Sequence, residues 1–210
     1  MAVGFVSTGV QFPDTTIQTT AATAGASGVN TVTVANSPGT WTKPASVKSI
    51  KVTVVGGGAS AGNSTGQEST IAAVAGGGGG GAAIKYYPAA SLPGPQPYTS
   101  GGIGATSSFG AAPIGPISAT GGSGASGGVG SGGTIVNARG GYAASAAAST
   151  QSGYTGIGGS SIISAGAGLN SSAPSTSYGA GGGGASGPNG GVSLTGGSGA
   201  PGAVIIEEFN

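Results

Sequence analysis

The chain contains no histidine and no cysteine, and it has only five cationic and four acidic side chains in 210 residues. A serine nucleophile needs a base such as histidine, so the Gly-x-Ser-x-Gly matches at Ser60, Ser64 and Ser126 are expected from composition alone. Without cysteine or histidine, disulfides and the usual zinc ligands are excluded. The sequence therefore favours a structural or binding protein over an enzyme, and it indicates no cofactor and no metal.

Charge is also missing from long parts of the chain. The formal net charge is +1, and no charged residue occurs from Tyr86 to Ala138 or from Gly140 to Ile206. Nucleic-acid binding needs a broad basic surface that displaces counterions, so we expect no nucleic-acid partner. Polar and small residues interrupt every apolar run well before the ~20 residues of a membrane-spanning helix, so we expect no membrane insertion.

What the chain has in abundance is glycine. Fifty glycines occur, many of them in the tracts Gly76–Gly81, Gly121–Gly133 and Gly179–Gly191. Glycine loses more backbone freedom on folding than any other residue, and ordering costs roughly 1–2 kcal/mol per residue. Side chains alone supply little compensation, so we expect assembly with neighbouring chains. Each tract can form an extended threefold helix of the polyproline type or an irregular loop, and the sequence leaves both open.

Strand signals frame the glycine tracts. Val47–Val55 alternates so that Ile50, Val52 and Val54 share one face, which we expect to be the core face. We expect this strand to pair centrally with Ala203–Phe209. The best helical candidate, Ala143–Ala148, is too short to be stable and is interpreted as a loop. The predicted fold class is all-β: a β-sandwich-like glycine-rich domain with extended, candidate polyglycine-II-like segments.

Two units are predicted, an attachment or oligomerisation segment over residues 1–30 and a glycine-rich β domain over residues 31–210. Tyrosines in small-residue surroundings either tuck into glycine layers or recognise sugars and protein surfaces. The candidate receptor-binding residues are Tyr142, Tyr154, Asn170 and Tyr178, and the candidate attachment residues are Phe5, Phe12 and Ile17.

Two segments carry a resemblance to a known family. Gly9–Ala22 (GVQFPDTTIQTTAA) is similar to the FPDGT-x-QTTAA segment near the start of phage fibre domains, with Thr15 where glycine is usual. Ser37–Ala45 (SPGTWTKPA) and the closing Gly199–Ile206 (GAPGAVII) occur in the order typical of the same proteins. The chain thus resembles bacteriophage tail-fibre proteins of the glycine-rich domain family. The stretch Gly140–Ser177 matches least, and we expect exposed, host-contacting loops there.

The resemblance implies a protein of the virion tail. It implies a homotrimer that docks on other phage tail or baseplate proteins and acts as an adhesin. Host attachment would be multivalent and non-catalytic, to a surface glycan or an outer-membrane protein. The alternative is a purely structural tail component without receptor binding.

Overall fold

The structure is a computed structural model, which describes residues 4–6, 9–11, 17–18, 28–65, 72–144, 147–148, 153–154, 156–168, 177–187 and 193–210. Strands dominate these residues, and their single helical element is one 3₁₀ turn, Ala89–Ser91. The predicted all-β fold class is confirmed.

The strands are short, apart from four of seven residues each. In chain order they are β1 (Gly4–Val6), β2 (Gly9–Gln11), β3 (Ile17–Gln18), β4 (Val29–Ala35), β5 (Gly39–Trp41), β6 (Ser49–Val55), β7 (Asn63–Thr65), β8 (Ala72–Ala73), β9 (Ala82–Pro88), β10 (Gln96–Thr99), β11 (Ser107–Phe109), β12 (Ile117–Ala119), β13 (Gly130–Ser131), β14 (Val136–Ala138), β15 (Ala147–Ala148), β16 (Gly153–Tyr154), β17 (Ser186–Gly187), β18 (Ser193–Thr195) and β19 (Ala203–Phe209).

Two five-stranded antiparallel sheets form a sandwich. The first, called the long-strand sheet, has the order β14-β9-β6-β19-β4, and the second, called the short-strand sheet, has the order β13-β12-β11-β10-β5. β6 and β19 lie side by side inside the long-strand sheet, with Val54 opposite Val204. The predicted central pairing of Val47–Val55 with Ala203–Phe209 is therefore confirmed, although β6 begins at Ser49.

Apolar side chains from both sheets fill the space between them. Ile50, Val52 and Val54 have no exposed surface, so the predicted core face of β6 is confirmed. Phe109 of the short-strand sheet is fully buried against them, with its ring centroid 6.4 Å from that of Trp41. At the edge of this core, the indole Nε1 of Trp41 donates a 2.7 Å hydrogen bond to the buried Glu208 carboxylate, which ties the two sheets together.

The tract Gly76–Gly81 adopts the threefold option. Amides three residues apart donate to the same neighbouring segment, at distances of 2.7 to 3.0 Å. The donor pair Gly77 and Gly80 bonds the segment 179–182, and the pair Gly78 and Gly81 bonds the segment 120–124. A repeat of three is the period of the extended polyproline-type helix, which has no internal hydrogen bonds and therefore bonds sideways. The tract is thus an ordered helix rather than an irregular loop.

Six segments surround this central helix, and we call the whole assembly the glycine bundle. Each segment contacts the central helix through backbone hydrogen bonds or close approach of backbone atoms. The six segments are 56–59, 120–124, 126–129, 140–141, 157–160 and 179–182. A Cβ added at any glycine of the central helix would lie within 3.0 Å of a neighbour's backbone, closer than real Cβ atoms come. Glycine is therefore required by packing density here, not by turn geometry.

The glycine bundle extends from one end of the sandwich. Residues 56–62 lead from β6 to β7, residues 74–81 return from β8 to β9, and residues 196–202 return from β18 to β19. Small two-stranded sheets, β7 with β18, β8 with β17 and β15 with β16, therefore lie at the far end of the bundle. Part of Gly140–Ser177, predicted to be exposed loops, belongs to the bundle instead, because Gly140, Gly158 and Gly159 are buried in it.

Candidate functional site

Tyr142 is the most exposed of the large hydrophobic side chains in the described residues. Its exposed fraction is 62%. Its hydroxyl oxygen accepts a 2.8 Å hydrogen bond from Nη1 of Arg139, whose guanidinium carbon lies 5.7 Å from the tyrosine ring centroid. The prediction that Tyr142 is available for binding agrees with this exposure, and Arg139 is a partner that sequence reasoning did not single out.

The threefold helix explains why these two side chains meet. They are the ends of the segment Arg139-Gly-Gly-Tyr142, and positions i and i+3 of a three-residue period emerge on the same side. The two glycines between them face inward, where a Cβ at Gly140 would collide with the backbone of Gly79 and Gly80. The bundle therefore fixes the backbone under both exposed side chains.

Two further segments of the same pattern flank this one. Gly140 donates a 2.9 Å hydrogen bond to the carbonyl of Gly128 on one side, and Gly141 donates a 2.7 Å bond to that of Ser160 on the other. In each flanking segment the two glycines are buried and the two end residues are exposed. We call the resulting surface the glycine-bundle face, formed by the side chains of Ser126, Val129, Arg139, Tyr142, Ile157 and Ser160.

The other predicted receptor-binding residues do not all fall on this face. Tyr178 is half-buried in a turn, where its carbonyl oxygen accepts a 2.8 Å hydrogen bond from Oγ of Ser161. Tyr154 lies in β16, but its side chain and the whole of Asn170 lie outside the described residues. The structure thus describes Tyr142 as an exposed aromatic and Tyr178 as one partly tucked against the bundle.

The predicted attachment residues lie in or near a separate small sheet. β1, β2 and β3 form a three-stranded antiparallel sheet in which Phe5 is opposite Val10, and Ile17 is opposite Gln11. Phe12 lies outside the described residues, as do the side chains of Phe5 and Ile17. Strands of two or three residues bury little surface, so such a sheet is marginal in stability unless it packs on something larger.

A second exposed surface is the side of the long-strand sheet that faces away from the sandwich core. One register row runs across all five strands through Val34, Ile205, Thr53, Ile84 and Val136, four of them apolar. Val34 is 48% exposed, and the threonines that alternate with the valines on this edge strand are exposed as well. Because apolar side chains are normally buried, an edge strand that exposes its valines indicates a surface that another body covers.

The next row of the same surface contains its charges. Nζ of Lys51 lies 2.5 Å from the Glu207 carboxylate, between the exposed side chains of Val32 and Tyr86. Phe209 extends the apolar area, with its ring centroid 6.4 Å from that of Tyr86. We call this surface the outer sheet face; the ion pair neutralises it, so two such faces would not repel each other.

Two further ionisable groups of the described chain, Glu208 and Tyr87, are buried and hydrogen-bonded. Glu208 accepts from Trp41, as described above, and the described residues hold no group of three or more potential metal-ligating side chains. Burial raises the pKa of Tyr87 to about 12, and its hydroxyl donates a 3.1 Å hydrogen bond to the Gly115 carbonyl. No helix within the described ranges is long and apolar enough to span a membrane.

No protein-family model matches the chain, and no curated protein matches it.

Sequence reasoning missed most of the glycine-bundle face. Three of the eight X-Gly-Gly-X segments in the sequence form this face, Ser126–Val129, Arg139–Tyr142 and Ile157–Ser160, and the motif alone does not single them out. Each segment spans one turn of a threefold helix, so its two end residues share a side. What the sequence does not contain is their adjacency, which depends on hydrogen bonds between segments far apart in the chain.

Proposed function

We propose that the chain is a bacteriophage tail-fibre protein of the virion tail, which contacts the host cell surface by multivalent, non-catalytic binding. The observation that carries this proposal is the glycine bundle, a densely bonded scaffold that presents an exposed aromatic and an exposed cation side by side. Such a surface is suited to recognition, because it offers contact area without the entropy cost of ordering long loops.

The binding partner is a host surface glycan or an outer-membrane protein. Tyr142 supplies an amphipathic ring, which suits a partner with both apolar and hydroxyl-bearing sides. Ser126 and Ser160 add exposed hydroxyls on either side of it. A single such contact is weak, and several copies on one particle multiply it through effective concentration.

Assembly as a homotrimer supplies those copies. The outer sheet face supports this part of the proposal, since Val32 and Val34 are about half exposed on a strand that carries no charge. An uncharged seven-residue edge strand with exposed valines is a template for association unless another chain covers it. Residues 1–30 would then dock the trimer on another tail or baseplate protein.

A structural tail component is the competing proposal, and the same outer sheet face favours it, because an apolar surface suits a permanent neighbour in the virion. The two proposals differ in whether the isolated chain binds cells. We would measure the mass of the purified protein in solution and its retention on envelopes from a panel of bacteria. A trimer retained by at least one envelope supports the adhesin, whereas an oligomer retained by none supports the structural role. A monomer that binds no envelope contradicts both.

A further inference from the structure

We propose that the glycine-bundle face binds an acidic sugar, with Arg139 taking its carboxylate or phosphate group and Tyr142 taking its ring. This inference rests on the proposed host-binding function and names the chemistry of one contact. It depends on three features of the face: a guanidinium that pairs with neither carboxylate of the described residues, an exposed aromatic ring beside it, and a fixed backbone below both.

Arg139 is an isolated cation. It is the only charged residue between Lys85 and Glu207, and the chain has no acidic residue between Glu68 and Glu207. The two acidic side chains in the described ranges are occupied elsewhere, Glu207 by Lys51 and Glu208 by Trp41. A guanidinium that neither carboxylate of the described residues neutralises is suited to bind an external anion, and its planar fork fits carboxylate and phosphate oxygens in pairs.

The contact with Tyr142 leaves most of that fork available. One nitrogen, Nη1, donates to the tyrosine hydroxyl, while the side chain of Arg139 remains exposed. The hydrogen bond holds the guanidinium beside the ring and uses only one of its five N–H donors. An anion bound to the remaining donors would therefore lie next to the aromatic ring.

The rest of the face fits a sugar better than a fully charged partner. Val129 and Ile157 are about 43–44% exposed and offer apolar contact, and Ser126 and Ser160 offer hydroxyls. Side chains three residues apart on these helices are separated by about 9 Å along the segment, since each residue rises ~3.1 Å. A ligand with one acidic group, hydroxyls and apolar ring faces matches this mixture. A nucleic acid would need many more cations than one.

The backbone below the face is already ordered before any ligand arrives. Gly140 donates to Gly128 and Gly141 donates to Ser160, so the three segments hold one another in register. Binding therefore orders only side chains, and one of them is already restrained by its hydrogen bond. This preorganisation is what allows a small surface with one cation to give a measurable affinity.

The test is an NMR titration of the full-length protein with three probes. They are a glucuronic-acid tetrasaccharide, its carboxyl-reduced neutral counterpart, and glucose 6-phosphate. We expect the acidic tetrasaccharide to shift the signals of Arg139 and Tyr142, and to bind about 10-fold or more tightly than the neutral one. Response to glucose 6-phosphate decides whether phosphate is accepted in place of carboxylate.

Variants assign the effect to the face. Arg139→Gln should weaken binding of the acidic tetrasaccharide about 10-fold or more, and Arg139→Lys should weaken it less, because a charge remains but the fork is lost. Tyr142→Ala should weaken both the acidic and the neutral tetrasaccharide. Lys48→Gln removes an exposed cation far from the face in sequence and should change nothing.

The outcomes separate this inference from the proposed function. Equal binding of acidic and neutral sugars, no binding of any of the three probes, or an unchanged affinity in Arg139→Gln overturns the inference. If the protein still binds bacterial envelopes in those cases, host attachment stands and uses another surface. If Arg139→Gln loses the acidic sugar and also loses envelope binding, the acidic sugar is part of the receptor.

Discussion

The substitution Gly79→Ala tests the glycine bundle at its centre. The added Cβ would lie 2.6 Å from the carbonyl carbon of Ser160 and 2.9 Å from the carbonyl oxygen of Gly159. Both atoms belong to backbone, so no side-chain rotation relieves the collision. The nearest atom is the carbonyl oxygen of Ser160, and the segment 157–160 would have to move outward by more than an ångström to bring it to ordinary van der Waals contact.

The cost follows from the hydrogen bonds that this movement breaks. The segment is held by bonds from Gly159 to the carbonyl of Gly77, from Gly141 to that of Ser160, and from Gly181 to that of Gly159, at 2.7 to 2.9 Å. At about 1 kcal/mol for each bond lost, the free energy of unfolding should fall by about 3 kcal/mol.

Gly102→Ala is the matched control. A Cβ at Gly102 meets no atom within 4 Å, and the backbone there is not in the left-handed region. The same chemical change should therefore be neutral, or stabilising by about 0.4–1 kcal/mol, because it restricts the unfolded chain. Denaturant unfolding of both variants at one protein concentration gives the comparison. Equal stabilities for Gly79→Ala and Gly102→Ala would refute the dense packing of the bundle.

Three further predictions concern the sandwich. Trp41→Phe should lower the free energy of unfolding by about 1–3 kcal/mol, because it leaves the Glu208 carboxylate buried without its hydrogen-bond donor. Glu208→Gln keeps an acceptor for Trp41 and should lower the free energy of unfolding by less in the same denaturation assay. Since burial raises the pKa of Tyr87 from 10.0 to about 12, the unfolded chain loses this proton first. The contribution of Tyr87 to the free energy of unfolding should therefore be fully present below pH 10 and fall by up to about 1.4 kcal/mol per pH unit between pH 10 and 12. Tyr87→Phe should reduce this decline. Identical pH slopes in the two proteins would contradict the prediction. Val34→Lys should lower the oligomeric mass measured by light scattering. Ile103→Lys, at a similarly exposed position, should leave this mass unchanged. An unchanged mass in both variants would show that the outer sheet face is not an interface.

The sandwich was predictable because its strands carry their own pattern. Alternation at Ile50, Val52 and Val54 indicates a strand with one buried face, and the structure buries all three completely. Thr53 is buried too, on the other face, because β6 lies between β9 and β19 and their side chains cover it. Such cover comes from sheet order, which a single strand's sequence does not contain.

The glycine bundle was only partly predictable. The composition of Gly76–Gly81 allowed either an extended threefold helix or an irregular loop. Glycine has no side chain, so no periodicity of side chains could select between these two structures. The choice is made by partners such as Gly124 and Gly141, which are tens of residues away in sequence. The two tyrosines show the same limit. Tyr142 and Tyr178 have similar small-residue neighbours in the sequence, yet Tyr142 is exposed and Tyr178 is half-buried.

Hydrogen exchange of the glycine amides tests the central claim most directly. The amides of Gly77 to Gly81 each donate to a carbonyl of another segment, so they should exchange far more slowly than in an unfolded chain. The amide of Gly94, for which the described residues provide no acceptor, should exchange fast in the same sample. Slow exchange in the tract beside fast exchange at Gly94 is the predicted result. Equally fast exchange at both would show that main-chain bonds between segments do not hold this protein together.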